Sequence, residues 1–216
     1  MEQQRILSSG TTGRGLSAES LCEILANYHP SPSDIRGDHD LNGFRPKPDN
    51  RAAAVLVPIV KHKEGLTVLF TKRTDHLKNH PGQISFPGGH TEEEDESAEH
   101  AALRETEEEV GLPHEYIKVI GRLNDYVTRT GFRVTPIIGL VEAPYPTEPD
   151  PHEVAEVFEV PLSFLLDRSN HEKCSRIFMG QKRYFWAMPY EDYYIWGATA
   201  GMLKNLCDVL DGEVSP

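Results

Sequence analysis

Strands and helices interspersed along one chain of 216 residues predict an α+β fold or an α/β sandwich. Three observations carry this. Apolar or β-branched runs of strand length recur at 52–60, 66–73, 117–123 and 133–141. Segments with helical apolar spacing lie before, between and after them. No internal repeat or coiled-coil heptad interrupts the alternation.

The elements follow in order. Residues 1–15 are rich in Gly, Ser and Thr and predict no regular structure. Ser17 caps a helix reaching about Tyr28, because Leu21, Ile24, Leu25 and Tyr28 recur at helical spacing. His29-Pro30 ends it, and the Pro-, Asp- and Gly-rich stretch 30–50 reads as a long connector. AAAVLVPIV (52–60) and LTVLFTKR (66–73) read as strands, with KHKEG between them as a hairpin connection. Residues 74–88, with their Pro-Gly breakers, predict loop with a short strand. Ala98, Ala101, Ala102 and Leu103 pack one side of a helix over about 97–110, which Gly111 stops. IKVIGRL (117–123) and RVTPIIGLV (133–141) read as strands, and EVFEVPLSFLL (156–166) as a strand turning into a short helix. A hairpin around Gly180 over 176–187 and a closing helix over about 198–210 complete the chain.

This length suits one domain able to bury its own core. Residues 1–50 are expected as tail, helix and connector, 51–210 as the functional domain, and 211–216 as a tail. No apolar run has the length of a membrane span, and the N-terminus has no apolar leader. Cys22, Cys174 and Cys207 are odd in number and far apart, which fits a reducing cytoplasm rather than a disulfide framework. The formal charge of -12 opposes nucleic-acid binding. A membrane partner is likewise not expected, whereas a small-molecule substrate and a monomer or homodimer are.

The charge is uneven. Residues 92–109 hold ten acids and one base, -9 of the -12. Residues 61–84 hold five bases against two acids. That contrast suggests an anionic ligand reached through bound cations. Most of the acids read as a solvated helix face. Glu105, Glu108 and Glu109 are different, since spacings of three and four put all three on one side of the helix. Carboxylates so placed repel one another. A hard divalent cation, Mg²⁺ or Mn²⁺, would remove much of that repulsion. Gly88-Gly89 would let backbone approach such an ion closely.

RETEEEVG (104–111), with Gly89 and Glu96 upstream, resembles the Nudix box, G-x5-E-x7-R-E-U-x-E-E-x-G-U. Arg104, Glu105, Glu108, Glu109, Gly111 and Leu112 match position by position. Two positions depart: six residues, not five, separate Gly89 from Glu96, and Thr106 replaces an aliphatic residue. The preceding TKRTDHLKNHPGQISFPGG (71–89) resembles the signature of the coenzyme A diphosphatase subfamily, L-L-T-x-R-S/A-x3-R-x3-G-x3-F-P-G-G. Thr71, Arg73, Gly82, Phe86, Pro87, Gly88 and Gly89 agree, while Phe70, Thr74 and Lys78 replace its Leu, Ser/Ala and Arg. The later blocks GFRVTPIIG (131–139), EVFEVPL (156–162) and YIWGATAGML (194–203) extend the resemblance over roughly residues 50–206.

The resemblance implies an α/β/α sandwich with a mixed central sheet. It implies hydrolysis of the CoA diphosphate to 3′,5′-ADP and 4′-phosphopantetheine. Within the superfamily, ADP-ribose, NADH or a dinucleoside polyphosphate is the alternative substrate, and a silent nucleotide-sensing module the remaining reading. Mg²⁺ or Mn²⁺ would be held by Glu105, Glu108, Glu109 and the Gly89 carbonyl. The catalytic carboxylates would be Glu105, Glu109 and the loop residue Glu153, with Glu105 or Glu153 as general base. Arg73, Lys78 and Arg51 are the candidates for substrate phosphates. Glu96, Arg104 and Gly111 would hold the box together, with Arg104 tying the helix entry to its middle. His76, His80, His90 and His100 read as surface histidines. Trp186, Trp196 and Tyr194 read as core or lid.

Overall fold

The computed structural model describes residues 16–44, 50–77 and 80–212. Two long strands form its spine: β2 (Arg51–Lys61) and β8 (Phe132–Glu142) run parallel in register from Arg51↔Phe132 to Lys61↔Glu142. The other edge of β2 pairs antiparallel with β3 (Leu66–Arg73) and β5 (Gly88–His90). β3 in turn pairs with β4 (Ile84–Ser85) and β9 (Val154–Pro161). The far edge of β8 takes β6 (Ile117–Arg122) and β7 (Tyr126–Val127), and β7 carries β1 (Arg36–Gly37) in parallel. A separate antiparallel sheet is built of β10 (Glu172–Phe178), β11 (Gln181–Tyr190) and β12 (Tyr193–Trp196).

Helices cover both faces of the mixed sheet. Alternation along β2 divides its side chains between two cores. Ala54, Leu56 and Val60 join Ala101, Ala102 and Val110 of α3 (Ala98–Val110) on one face. Ala53, Val57 and Ile59 join the other, with Leu21 and Leu25 of α1 (Ala18–Asn27), Leu162 and Leu165 of α4 (Leu162–Leu166), and Leu203 and Leu206 of α5 (Ala198–Leu210). This is the α/β/α sandwich expected.

The predicted helices and long strands stand within a few residues of their expected bounds. Ser17 caps α1 by accepting from Ser20 N, and Ser97 caps α3 by accepting from His100 N. The stretch expected as connector adds β1 and the one-turn helix α2 (His39–Asn42). Tertiary contacts create both: Asp38 accepts from Tyr126 OH at 2.8 Å and from Arg129 N at 2.9 Å. Thr106, the polar residue at an aliphatic position, is fully buried, and its hydroxyl donates to Ala102 O at 2.6 Å. That bond within the helix satisfies the hydroxyl and lets threonine fill an aliphatic place. Among the described residues, no helix is long and apolar enough to cross a membrane.

Candidate active site

α3 lies against β2 and β5, so its inward side faces the glycines of β5. Gly88 has φ 148°, and a Cβ there would collide with Ala54 O. Only glycine lets β5 lie this close to β2. At Gly89 the space a Cβ would take lies 2.5 Å from the Glu105 carboxylate, so the missing side chain leaves that carboxylate open to approach. Glu109, one turn further on, accepts from Gly88 N at 3.1 Å and sits 3.5 Å from the Arg73 guanidinium. Its side chain is only 8% exposed. Burial is the main reason its carboxyl is pushed up to about 7, and nearby Glu153 and Glu105 add to the rise against Gly88 N–H and Arg73. Burial raises Glu105 as well, while Arg104 opposes the shift.

Glu153 reaches the same place from a loop that α3 itself anchors. Glu148 N donates to Val110 O at 2.9 Å and Asp150 N to Glu109 O at 3.0 Å, so the loop satisfies carbonyls left free at the helix end. Thr74 N then donates to Glu153 O at 2.9 Å, and the Glu153 carboxylate lies 3.7 Å from Arg73. Gly111 makes this packing possible. Its φ is 67°, and a Cβ would stand 2.6 Å from the backbone of Glu148.

Arg104 organises the helix entry. Its Nε and Nη2 donate to the two oxygens of Asp95 at 3.1 and 2.9 Å, and Nη2 also donates to His90 O at 3.2 Å. Its Nη1 reaches Glu105 at 3.1 Å and Glu108 at 3.0 Å. This corrects the expected tie to Glu96, which is exposed. The Asp95 side chain is 1% exposed, with its carboxyl held well below the usual range, first by Arg104. Five residues separate Gly89 from Asp95, so the box keeps its first spacing and carries its extra residue later. The shorter aspartate was the missed residue, and counting from Gly89 would have found it.

The structure therefore gathers Glu105, Glu109, Glu153, Arg73 and the Gly88-Gly89 strand, with Arg104 and Glu108 at one margin. Arg51 stands apart at the start of β2, its guanidinium 4.0 Å above the Phe132 ring. Lys78 lies outside the described residues. Among those residues, no three His, Cys, Asp or Glu side chains are grouped so as to hold an ion as they stand. Arg104 engages Glu108 and one oxygen of Glu105 instead. The donor chemistry nevertheless fits a hard divalent cation: carboxylate oxygens in excess of nearby positive charge, beside a backbone cleared by glycine.

A layered sheet thus concentrates carboxylates at one helix and a glycine strand, the place for a charged ligand. Residues 49–179 match the NUDIX domain family, and the chain belongs to it. It is 41% identical over 159 residues to the Uncharacterized Nudix hydrolase NudL of Escherichia coli (strain K12), covering 73% of this chain and 82% of that one. The NudL of Enterobacter sp. (strain 638) is 40% identical over 158 residues, with the same coverage. The solved MutT/nudix family protein from Enterococcus faecalis aligns over 78% of this chain and 65% of its own, at 19% identity and TM-score 0.47. The protein is thus a Nudix hydrolase acting on pyrophosphate bonds, in a family that generally needs divalent metal ions such as Mg²⁺.

Proposed function

We propose that the protein hydrolyses the diphosphate of coenzyme A and its derivatives to 3′,5′-ADP and 4′-phosphopantetheine. The observation that supports this most is the course of segment 71–89. The stretch resembling the CoA diphosphatase signature begins on β3, sends Arg73 to within 3.5 Å of Glu109, and ends in the glycines beside Glu105. Signature and box meet at one place.

In this reading water adds to one phosphorus, the bond from that phosphorus to the bridging oxygen breaks, and the bridging oxygen leaves with the other phosphate. A divalent cation, when bound, offsets the charge of the diphosphate and makes water more acidic. Glu105 and Glu109, with the Gly89 carbonyl and Glu108, are the groups that would hold it. Glu105 or Glu153 takes the proton of the attacking water. Arg73, already between Glu109 and Glu153, presents its charge to a substrate phosphate, and Lys78 lies on the same segment. Arg51, exposed on the neighbouring strand, suits the 3′-phosphate. A cytoplasmic location is part of this reading.

The test incubates purified protein and Mg²⁺ or Mn²⁺ with CoA, dephospho-CoA, ADP-ribose, NADH and diadenosine polyphosphates, and reads product masses. CoA should give the highest kcat/KM and the two named products. Preference for ADP-ribose or a dinucleotide would overturn the CoA assignment while leaving a Nudix hydrolase.

A further inference from the structure

We infer that β10 is a homodimer interface, pairing edge to edge with β10 of a second copy across a two-fold axis. β10 pairs with β11 over seven consecutive residues, from Glu172↔Ala187 to Phe178↔Gln181, without a bulge. Among the described residues its other edge has no strand beside it. Tyr184 of β11 exchanges both backbone bonds with the Asn42 side chain, each 2.9 Å. Tyr184 and its partner Ser175 therefore form a pair that does not bond across the ladder. The N–H and C=O groups of Lys173, Ser175 and Ile177 point to the open edge. A long, regular edge without proline or bulge is a template for another strand.

The side chains point the same way. Of the six large apolar side chains exposed among the described residues, five lie on this small sheet and its turn: Ile177, Phe178, Met179, Tyr184 and Tyr194. Met179 is 87% and Ile177 79% exposed. By the pairing register Ile177 and Tyr184 stand on one face of the sheet and Phe178 and Tyr194 on the other, so apolar surface flanks the open edge on both sides.

Charge selects a second copy and fixes the register. Antiparallel pairing centred on Cys174 sets Glu172 opposite Arg176 of the other copy, twice. Among the described residues, neither side chain has an ion-pair partner in its own chain; Arg176 lies 4.7 Å over the Trp196 ring. Centring on Lys173 or Arg176 would oppose like charges, and centring on Ser175 would pair none. The chosen register carries Ile177 and Phe178 of each copy onto residues 170–171 of the other, which covers the apolar tip.

Light scattering after gel filtration, over a range of concentrations, tests this. The wild type should be a dimer. Arg176→Glu and Glu172→Arg should each raise Kd about tenfold or more, since like charges then face each other twice. The double variant Glu172→Arg/Arg176→Glu should regain the wild-type Kd, which a folding defect would not allow. Mild oxidation should link the dimer covalently through Cys174, and Cys174→Ser should abolish the link. A wild type monomeric throughout, including one that sediments with anionic vesicles instead, overturns the inference. So does a dimer indifferent to charge reversal, or a double variant that fails to recover.

Discussion

Glu109 carries the largest burden of any single side chain at the site. Its carboxyl is pushed up to about 7 from an ordinary 4.5, so the folded protein keeps a proton that the unfolded chain releases between those values. Without divalent cations, the contribution of Glu109 to stability should be complete below about pH 4.5 and should be lost as pH rises to about 7. The loss is on the order of 3 kcal/mol, at about 1.4 kcal/mol for each unit. Thermal melts in a chelator should show this slope, and Glu109→Gln should flatten it. The same substitution should lower kcat by roughly a hundredfold or more, whereas Glu93→Gln, on the exposed stretch, should leave kcat unchanged. A second contrast concerns the neighbours Asp95 and Glu96. Asp95→Asn takes away the charged two-oxygen partner of Arg104, leaving it Glu105, Glu108 and His90 O, and should cost about 2 kcal/mol in chemical denaturation. Glu96→Gln should cost almost nothing. Equal losses at the two positions would return the tie to Glu96.

The loop 148–153 and helix α3 form one working element. Because Gly111 admits the loop, Gly111→Ala should displace Glu153 as well as strain the helix end. If so, kcat losses from Gly111→Ala and Glu153→Gln should be strongly non-additive, the double variant falling little below the worse single one. Simple additivity would separate Glu153 from the helix. Much of this element was legible in the sequence. The three-and-four spacing of Glu105, Glu108 and Glu109 set the helix face, Ser97 and Gly111 set its ends, and Glu153 was a named loop candidate. The parts that escaped depend on partners remote in sequence. Nothing local in Arg36-Gly37 signals β1, whose order comes from β7, and the bonds from 148 and 150 to the helix end have no periodicity to betray them. Asp95 escaped for the opposite reason: a local match to Glu96 was easier to see than a shorter acid one place earlier.

Across the whole molecule, helix α1 belongs to the same core as the sheet. Leu21 is fully buried in the core that residues of β2, α4 and α5 share, so Leu21→Ala should destabilise the protein by about 3 kcal/mol although α1 is no part of the site. A chemical denaturation curve checks it; a loss under about 1 kcal/mol would mean α1 docks weakly. The alternation along β2 has a further consequence. A strand whose successive side chains belong to opposite cores cannot let one layer open while the other stays closed. Amide protons of β2 and β8 should therefore exchange with deuterated solvent only through global opening, and more slowly than those of the small sheet. The polypeptide should melt as one cooperative unit, with its hydrolytic face lost in the same step as its interior.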